Sequence, residues 1–428
     1  MTQATQTIPA GYKQTEIGVI PMDWDIKKLK DIANYRRGSF PQPYGLEKWY
    51  DNNFGMPFVQ VVDVDDNFKL KNDTKQKISK LGAKLSVFVK KGTIILTIQG
   101  SIGRVCITQY DSYVDRTLLI FESFKEQFDK YFFMLKIFRK FEIEKEKAPG
   151  GIIKTITKEA LSGFEISYPQ DIKEQTAIAT ALSDTDALIE KLEKLIAKKK
   201  AIKQGAMQQL LTGKKRLPGF SGTWEVKKLG EVGKCLRGVS YKGDEDLFEF
   251  DTKETVRLLR SNNIKDSLVN IFDIQFVNSA KVSPIQIMND KDILICMANG
   301  SKDLVGKAGM FKIQDEFKYT FGAFMGCFRI NVEEYDHYFI FNLFYSNDYK
   351  NYIRNLLAGS SINNLTPASI ESMIFKIPEP KEQTAIATVL SDMDAEIEKL
   401  KNKLEKYRQI KTGMMQQLLT GKIRLLRK

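Results

Sequence analysis

The chain of 428 residues is long enough for two or three ordinary domains, each with its own core. Its hydrophobic fraction of 43% is that of a globular protein, while 66 Lys and Arg against 53 Asp and Glu leave a formal charge of +13. That surplus points to a polyanionic partner, nucleic acid or an acidic membrane face. One histidine and four scattered cysteines fit neither a zinc site nor a disulfide framework.

The first stretch, "MTQATQTIPAGYKQTEIG", lacks the apolar segment of a secretory signal. The longest apolar runs, "GTIILTI" and "YFIFNLFY", are too short to span a bilayer. A cytoplasmic protein with buried, reduced Cys106, Cys235, Cys296 and Cys327 is expected. From Trp24 the chain reads "WDIKKLKDIANYRRGS", and then "MPFVQVVDV", "GTIILTIQG", "RVCITQY" and "RTLLIFES", which are strand-like in their β-branched and aromatic content. "FKEQFDKYFFMLKIFRKF" has the pattern of an amphipathic helix, and "IIKTITKEALSGFEISYP" leads to Pro169.

The segment Lys173–Leu217 then matches Lys381–Leu425 at 31 of 45 positions without a gap. In the first copy Ile178, Leu182, Thr185, Ile189, Leu192 and Ile196 form the a/d stripe of a coiled coil; Ile386, Leu390, Met393, Ile397, Leu400 and Leu404 do so in the second. Asp171 with Glu174 fits a capping box, Pro380 suits a first helical position, and Gly213 and Gly421 suit helix ends. The stripe breaks at Lys199 and Tyr407. Gly205 and Gly413 interrupt both helices, which fits simple tolerance, close helix approach or a second partner.

Between the two copies the earlier plan recurs. "WEVKKLGEVGKCLRGVS" begins at Trp224, followed by "VRLLRSNNI", "DILICMANG", "AGMFKI" and "GAFMGCFRI", then "DHYFIFNLFYSNDYKNYIRNLL" and "SINNLTPASIESMIFKIP". The two arms share an order of elements but few residues, whereas the helices barely differ. This divides the chain into 1–172, 173–213, 214–379 and 380–428: arm, helix, arm, helix.

Catalytic chemistry lacks parts. His337 stands alone at a helix start, where capping or packing suits it better than catalysis. No dinucleotide-binding GxGxxG and no NPPY-like methyltransferase tetrapeptide is present, and "GSKDLVGKA" has the wrong glycine spacing and Ala308 in place of the Ser/Thr of a P-loop. Polar and basic residues recur instead at matching places. Turns carry Arg36, Arg37 and Ser39 in one arm, and Arg237, Ser240 and Tyr241 in the other. Arg104 matches Lys302 and Lys307, "LLRSNNI" offers Arg260, Asn262 and Asn263, and Lys154 precedes the first long helix. Arg can read guanine, Asn adenine, and Lys can pair with phosphate.

The helix repeats "KEQTAIATALSDTDALIEKL" and "KEQTAIATVLSDMDAEIEKL", both ending in "MQQLLTGK", resemble those of the specificity subunits of type I restriction–modification enzymes. The resemblance covers essentially the whole chain; the "KKL…RG" stretches and the "GSIG" loop add weaker support. It implies an α+β fold, in which two pseudo-twofold-related α/β target recognition domains are joined by two long antiparallel coiled-coil helices. It also implies a subunit without catalysis or cofactor of its own. Each domain would read half of a split double-stranded DNA site, and the helices would dock two modification (methyltransferase) subunits. S-adenosylmethionine, ATP and magnesium would then belong to partners, restriction subunits among them. The docking residues expected are Ile202, Met207 and Leu210 with Ile410, Met415 and Leu418. The rival readings are a fused restriction–methylation enzyme and a coiled-coil adaptor that reads no DNA.

Overall fold

The computed structural model describes residues 8–147, 156, 158–331, 333–359 and 363–425. The chain forms two compact units. The first comprises Met1–Glu193 with Lys403–Lys428; the second is Lys194–Asn402. Each unit therefore draws on both long helices, the central helix Ile172–Leu210 and the terminal helix Pro380–Leu418. The fold is α+β, with the same plan in both units.

In the first unit a four-stranded antiparallel sheet runs in the order Ala33–Arg37, Leu118–Phe124, Ile94–Thr97, Val105–Ile107. In the second the order is Gly233–Arg237, Met325–Ile330, Ile293–Cys296, Ala308–Met310, extended by Leu268–Val269 and Ile264–Lys265. A second sheet in each unit contains a parallel pair: Met56–Val59 beside Ser112–Val114, and Thr255–Leu259 beside Tyr319–Phe321. The "WDIKK" and "WEVKK" stretches are strands too. Trp24–Lys28 pairs with Glu165–Pro169, and Glu225–Lys228 with Ile374–Ile377.

Two helix boundaries differ from the sequence pattern for a clear reason. The amphipathic run expected from Phe124 becomes helical only at Lys130, because Phe124 ends a strand paired with Ala33 and Asp129 Oδ1 accepts from the Tyr131 and Phe132 amides. The corresponding run in the second unit splits into His337–Leu343 and Asn347–Ala358, each with its own cap, Asp336 and Ser346. His337 is thus the first helical residue, and its neighbour Asp336 does the capping.

The stripe positions of the long helices turn inward. Ile178 and Leu182 join the first unit's core with Met415, Leu418 and Leu419; Ile386 and Leu390 join the second's with Met207, Leu210 and Leu211. Within each unit the helix segments run antiparallel. Asp186 pairs with Lys411 and Glu193 with Arg408 in the first, and Lys199 with Glu396 and Lys203 with Asp394 in the second. Asp171 accepts from the Lys173 amide, but Glu174 does not complete the expected capping box. Its carboxylate is taken by Arg424. A Cβ placed on Gly205 or Gly413 would meet nothing within 4 Å, so close approach of a helix within the chain does not explain either glycine.

Candidate nucleic-acid interface

In the second unit the backbone segments that carry most of the candidate reading residues meet at one turn, Gly322–Met325. Gly238 follows the strand that ends in Arg237, and its amide donates to the Met325 carbonyl (3.3 Å). The Gly322 amide donates to the Leu259 carbonyl, just before Arg260 (3.0 Å). Met297 and Ala298, which open the loop carrying Lys302, both donate to the Phe324 carbonyl (2.9 and 3.1 Å). Tyr241 lies against Gly322 at the same place. The recurring Arg-Gly pair has a steric basis here. A Cβ on Gly238 would stand 1.9 Å from the Gly322 carbonyl oxygen, and one on Gly38 would stand 2.3 Å from that of Val114.

The first unit uses the same bonds. Gly38 donates to the Leu118 carbonyl (3.0 Å) and Ile98 to that of Thr117 (3.0 Å). Thr117 therefore stands where Phe324 stands in the second unit, and exposed Arg116 precedes it, its guanidinium 4.7 Å from the Phe40 ring centre. Arg104 and Lys307 are equivalent: their carbonyls accept from the Thr97 and Cys296 amides, and each follows a glycine of positive φ, Gly103 or Gly306.

The individual candidates fare differently. Arg36, Arg37 and Arg237 are exposed, but they lie on strands and not in turns, because their backbones pair across to Ile120, Leu119 and Gly326. Ser39 Oγ donates to the Leu85 carbonyl (3.2 Å). Arg104 pairs with Asp66 (2.8 Å). Lys302 is exposed in its loop and Lys307 half-buried. Arg260 and Asn262 both hold the Asp273 carboxylate (3.1 and 2.8 Å). Asn263 is 0% exposed, and its amide bonds the Arg260 amide and the Asn270 and Phe272 carbonyls, so it shapes the loop and has no free edge for a base. Lys154 lies outside the described residues.

The docking candidates split in the same way. Met207, Leu210, Met415 and Leu418 are buried in their own units' cores, so a partner cannot reach them there. Ile202 (48% exposed) and Ile410 (40%), which occupy the same repeat position, remain on the surface. So does a second repeated face, where Thr176, Thr180 and Asp184 line a groove of about 560 Å³ on the central helix. Their repeat equivalents Thr384, Thr388 and Asp392 line one of about 600 Å³ on the terminal helix, bordered by His337. Burial, with Lys291 nearby, lowers the His337 pKa.

Sequence reasoning missed why the repeat is so nearly invariant: much of it fastens the end of one copy to the start of the other, and each helix to a domain. Arg424 grips Glu174 with two bonds (2.5 and 2.6 Å), and Arg216 grips Glu382 in the same way (2.6 and 2.6 Å). Buried Gln175 accepts from the Asp129 amide and donates to the Pro169 carbonyl; Gln383 does the same with Asp336 and Pro378. Tyr131 donates to Asp186, and Tyr338 to Asp394. The signal was present in the motif itself, because "KEQT" and "TGKxR" recur together, but pairing one with the other needs the fold.

The model of the type I restriction modification DNA specificity domain matches the chain twice, over residues 21–204 and 221–406. The chain belongs to the family of type I restriction–modification specificity subunits. Among relatives, a protein of Methanocaldococcus jannaschii provisionally named type I restriction enzyme MjaX specificity subunit is 28% identical over 446 residues, spanning 97% of each chain. The EcoKI specificity subunit of Escherichia coli is 32% identical over 200 residues, 47% of this chain and 42% of that one. The S subunit of M. genitalium shares the fold (TM-score 0.55, 16% identity, 92% of this chain and 96% of that one). So does a chain from a structural study of type I R-M complex assembly (TM-score 0.58, 13% identity, 94% and 99%). The two arms are thus the two target recognition domains of a specificity subunit. Among the described residues no helix is long and apolar enough to cross a membrane.

Proposed function

We propose that this specificity subunit reads a bipartite, asymmetric double-stranded DNA site, one half with each recognition domain, and docks two identical modification subunits on its helices. The observation that carries the reading is the contrast between constant and variable surface. Both domains hold the same turn by the same backbone bonds, yet Arg116 and Thr117 stand on one turn and Ala323 and Phe324 on the other. A shared scaffold with different side chains is what an asymmetric site requires, since phosphate contacts position a protein and base contacts specify the sequence. The repeated exposed positions Ile202 and Ile410, and the grooves at the repeat-equivalent residues Thr176 and Thr384, support docking at two related faces. In this reading the chain performs no catalysis, and S-adenosylmethionine, ATP and magnesium act on the modification and restriction subunits.

The test is expression of the chain with its modification subunits in a host free of other DNA methylation, followed by mapping of methylated adenines. A single split motif, and a purified complex with two modification subunits per chain, are expected. A continuous motif, or S-adenosylmethionine-dependent methylation by this chain alone, would contradict the reading.

A further inference from the structure

We propose that Phe324 is a base-stacking residue of the second recognition domain, opening a base step in the half-site that this domain reads; the inference rests on the DNA reading proposed above. Phe324 is 72% exposed, although a phenyl ring in water gives up the stabilisation that burial would bring. It is not a loose loop side chain. Its carbonyl accepts from the Met297 and Ala298 amides, the turn closes with a bond from the Met325 amide to the Gly322 carbonyl (2.8 Å), and the Gly238 backbone abuts that same carbonyl. Rigid backbone on both sides therefore holds the ring out to solvent.

Its surroundings suit a nucleic acid. The segments that meet at the turn also carry Tyr241 and the exposed Arg237 and Lys302, donors suited to phosphates and base edges, while Arg260 and Asn262 on the same segments already hold Asp273. An aromatic plane amid such donors is the chemistry of base stacking, and an apolar wedge between base pairs unstacks a step. The first domain has Thr117 at this place beside Arg116, so the stacking is confined to one half of the site.

The experiment uses the complete complex with its modification subunits, and duplexes carrying the mapped motif with 2-aminopurine at successive positions of the second half-site. Wild-type complex should raise the fluorescence at one step, and Phe324→Ala should remove that rise and weaken specific binding about 5- to 150-fold. Phe324→Trp should keep binding, with the new indole quenched by the specific duplex. Wild-type affinity of Phe324→Ala with no 2-aminopurine response in the wild type, or an unquenched Phe324→Trp, would overturn the inference and leave DNA reading intact. A Phe324→Ala defect confined to assembly with the modification subunits would also overturn it. Loss of specific binding by the wild-type complex would count instead against the proposed function.

Discussion

The same clamp is built twice, with different surroundings. In the second unit Glu382, gripped by Arg216, also accepts from Trp224 Nε1 (3.1 Å). In the first, Glu174 is gripped by Arg424, which also holds Asp23 (2.9 and 3.0 Å), while Trp24 Nε1 is buried with no partner among the described residues. The first unit also buries a lysine. Lys136 Nζ donates to the Leu419 carbonyl (2.7 Å) and to Ser167 Oγ (3.0 Å), and lies 5.3 Å from the centre of the Trp24 ring. Counted from the capping Asp336 as Lys136 is from Asp129, the second unit has Leu343 at this place. The repeat thus fixes the ion pair that ties the end of one copy to the start of the other. Each domain completes that joint with its own residues, which is why the helices stayed alike while the arms diverged.

The largest effect that would break this symmetry is loss of the arginine. Arg424→Ala leaves Glu174 buried without a cation and should cost the first unit about 3–5 kcal/mol. Arg216→Ala should cost the second unit less, because Trp224 still donates to Glu382. Hydrogen exchange of the two strand pairs that start at Trp24 and Glu225 measures each unit separately. Equal losses in both would show that the tryptophans do not distinguish the clamps.

Next in size are the glycines at the turns. Gly238→Ala should strain the second domain by roughly 1–3 kcal/mol, since the obstructing atom is a backbone carbonyl oxygen and cannot rotate away. Its complex should lose discrimination in one half of the methylated motif, and Gly38→Ala in the other. Motif mapping with each variant is the check, and loss of both halves from one substitution would refute the separation.

The buried lysine sharpens the comparison through pH. Burial first, and Arg139 second, lower the Lys136 pKa from 10.5 to about 7. Between about pH 7 and 10.5 the unfolded chain therefore binds a proton that the folded unit has released. The first unit's stability should rise with pH across that window, by at most about 1.4 kcal/mol per pH unit, and the cost is present in full below it. Lys136→Leu, which copies the second unit, should flatten this slope in exchange measurements at pH 7 and 9.5. An unchanged slope would mean that another group titrates.

The smallest effect expected is at the surface. Ile202→Asp and Ile410→Asp should each weaken one modification-subunit site about fivefold, roughly 1 kcal/mol, without changing the chain's own stability. Native mass spectrometry near the dissociation constant should then show singly loaded complexes. Loss of both sites from a single substitution would argue against two independent faces.

The sequence by itself determined the duplication, the two long helices with their buried stripe, and the main strands of each arm, because periodicity and repetition are local or one-dimensional signals; the strands that carry Trp24, Arg37 and Arg237 needed the fold. Ile178, Leu182, Ile386 and Leu390 were legible as core from spacing alone. The tertiary structure alone decided which repeated residues remain available to partners. Met207 and Ile202 have the same apolar character in sequence, yet one is buried in a core and the other faces solvent. Asn262 and Asn263 are adjacent and chemically identical, but the loop's return consumes both the oxygen and the NH2 of Asn263 in its buried bonds, whereas exposed Asn262 gives only its NH2, to Asp273. Phe324 is apolar and looks like a core residue in sequence. It stands in solvent because bonds from Met297 and Ala298, distant in the chain, fix its backbone at the apex of a turn. Such choices depend on which distant backbone donors arrive at a site, and only the folded chain brings them together.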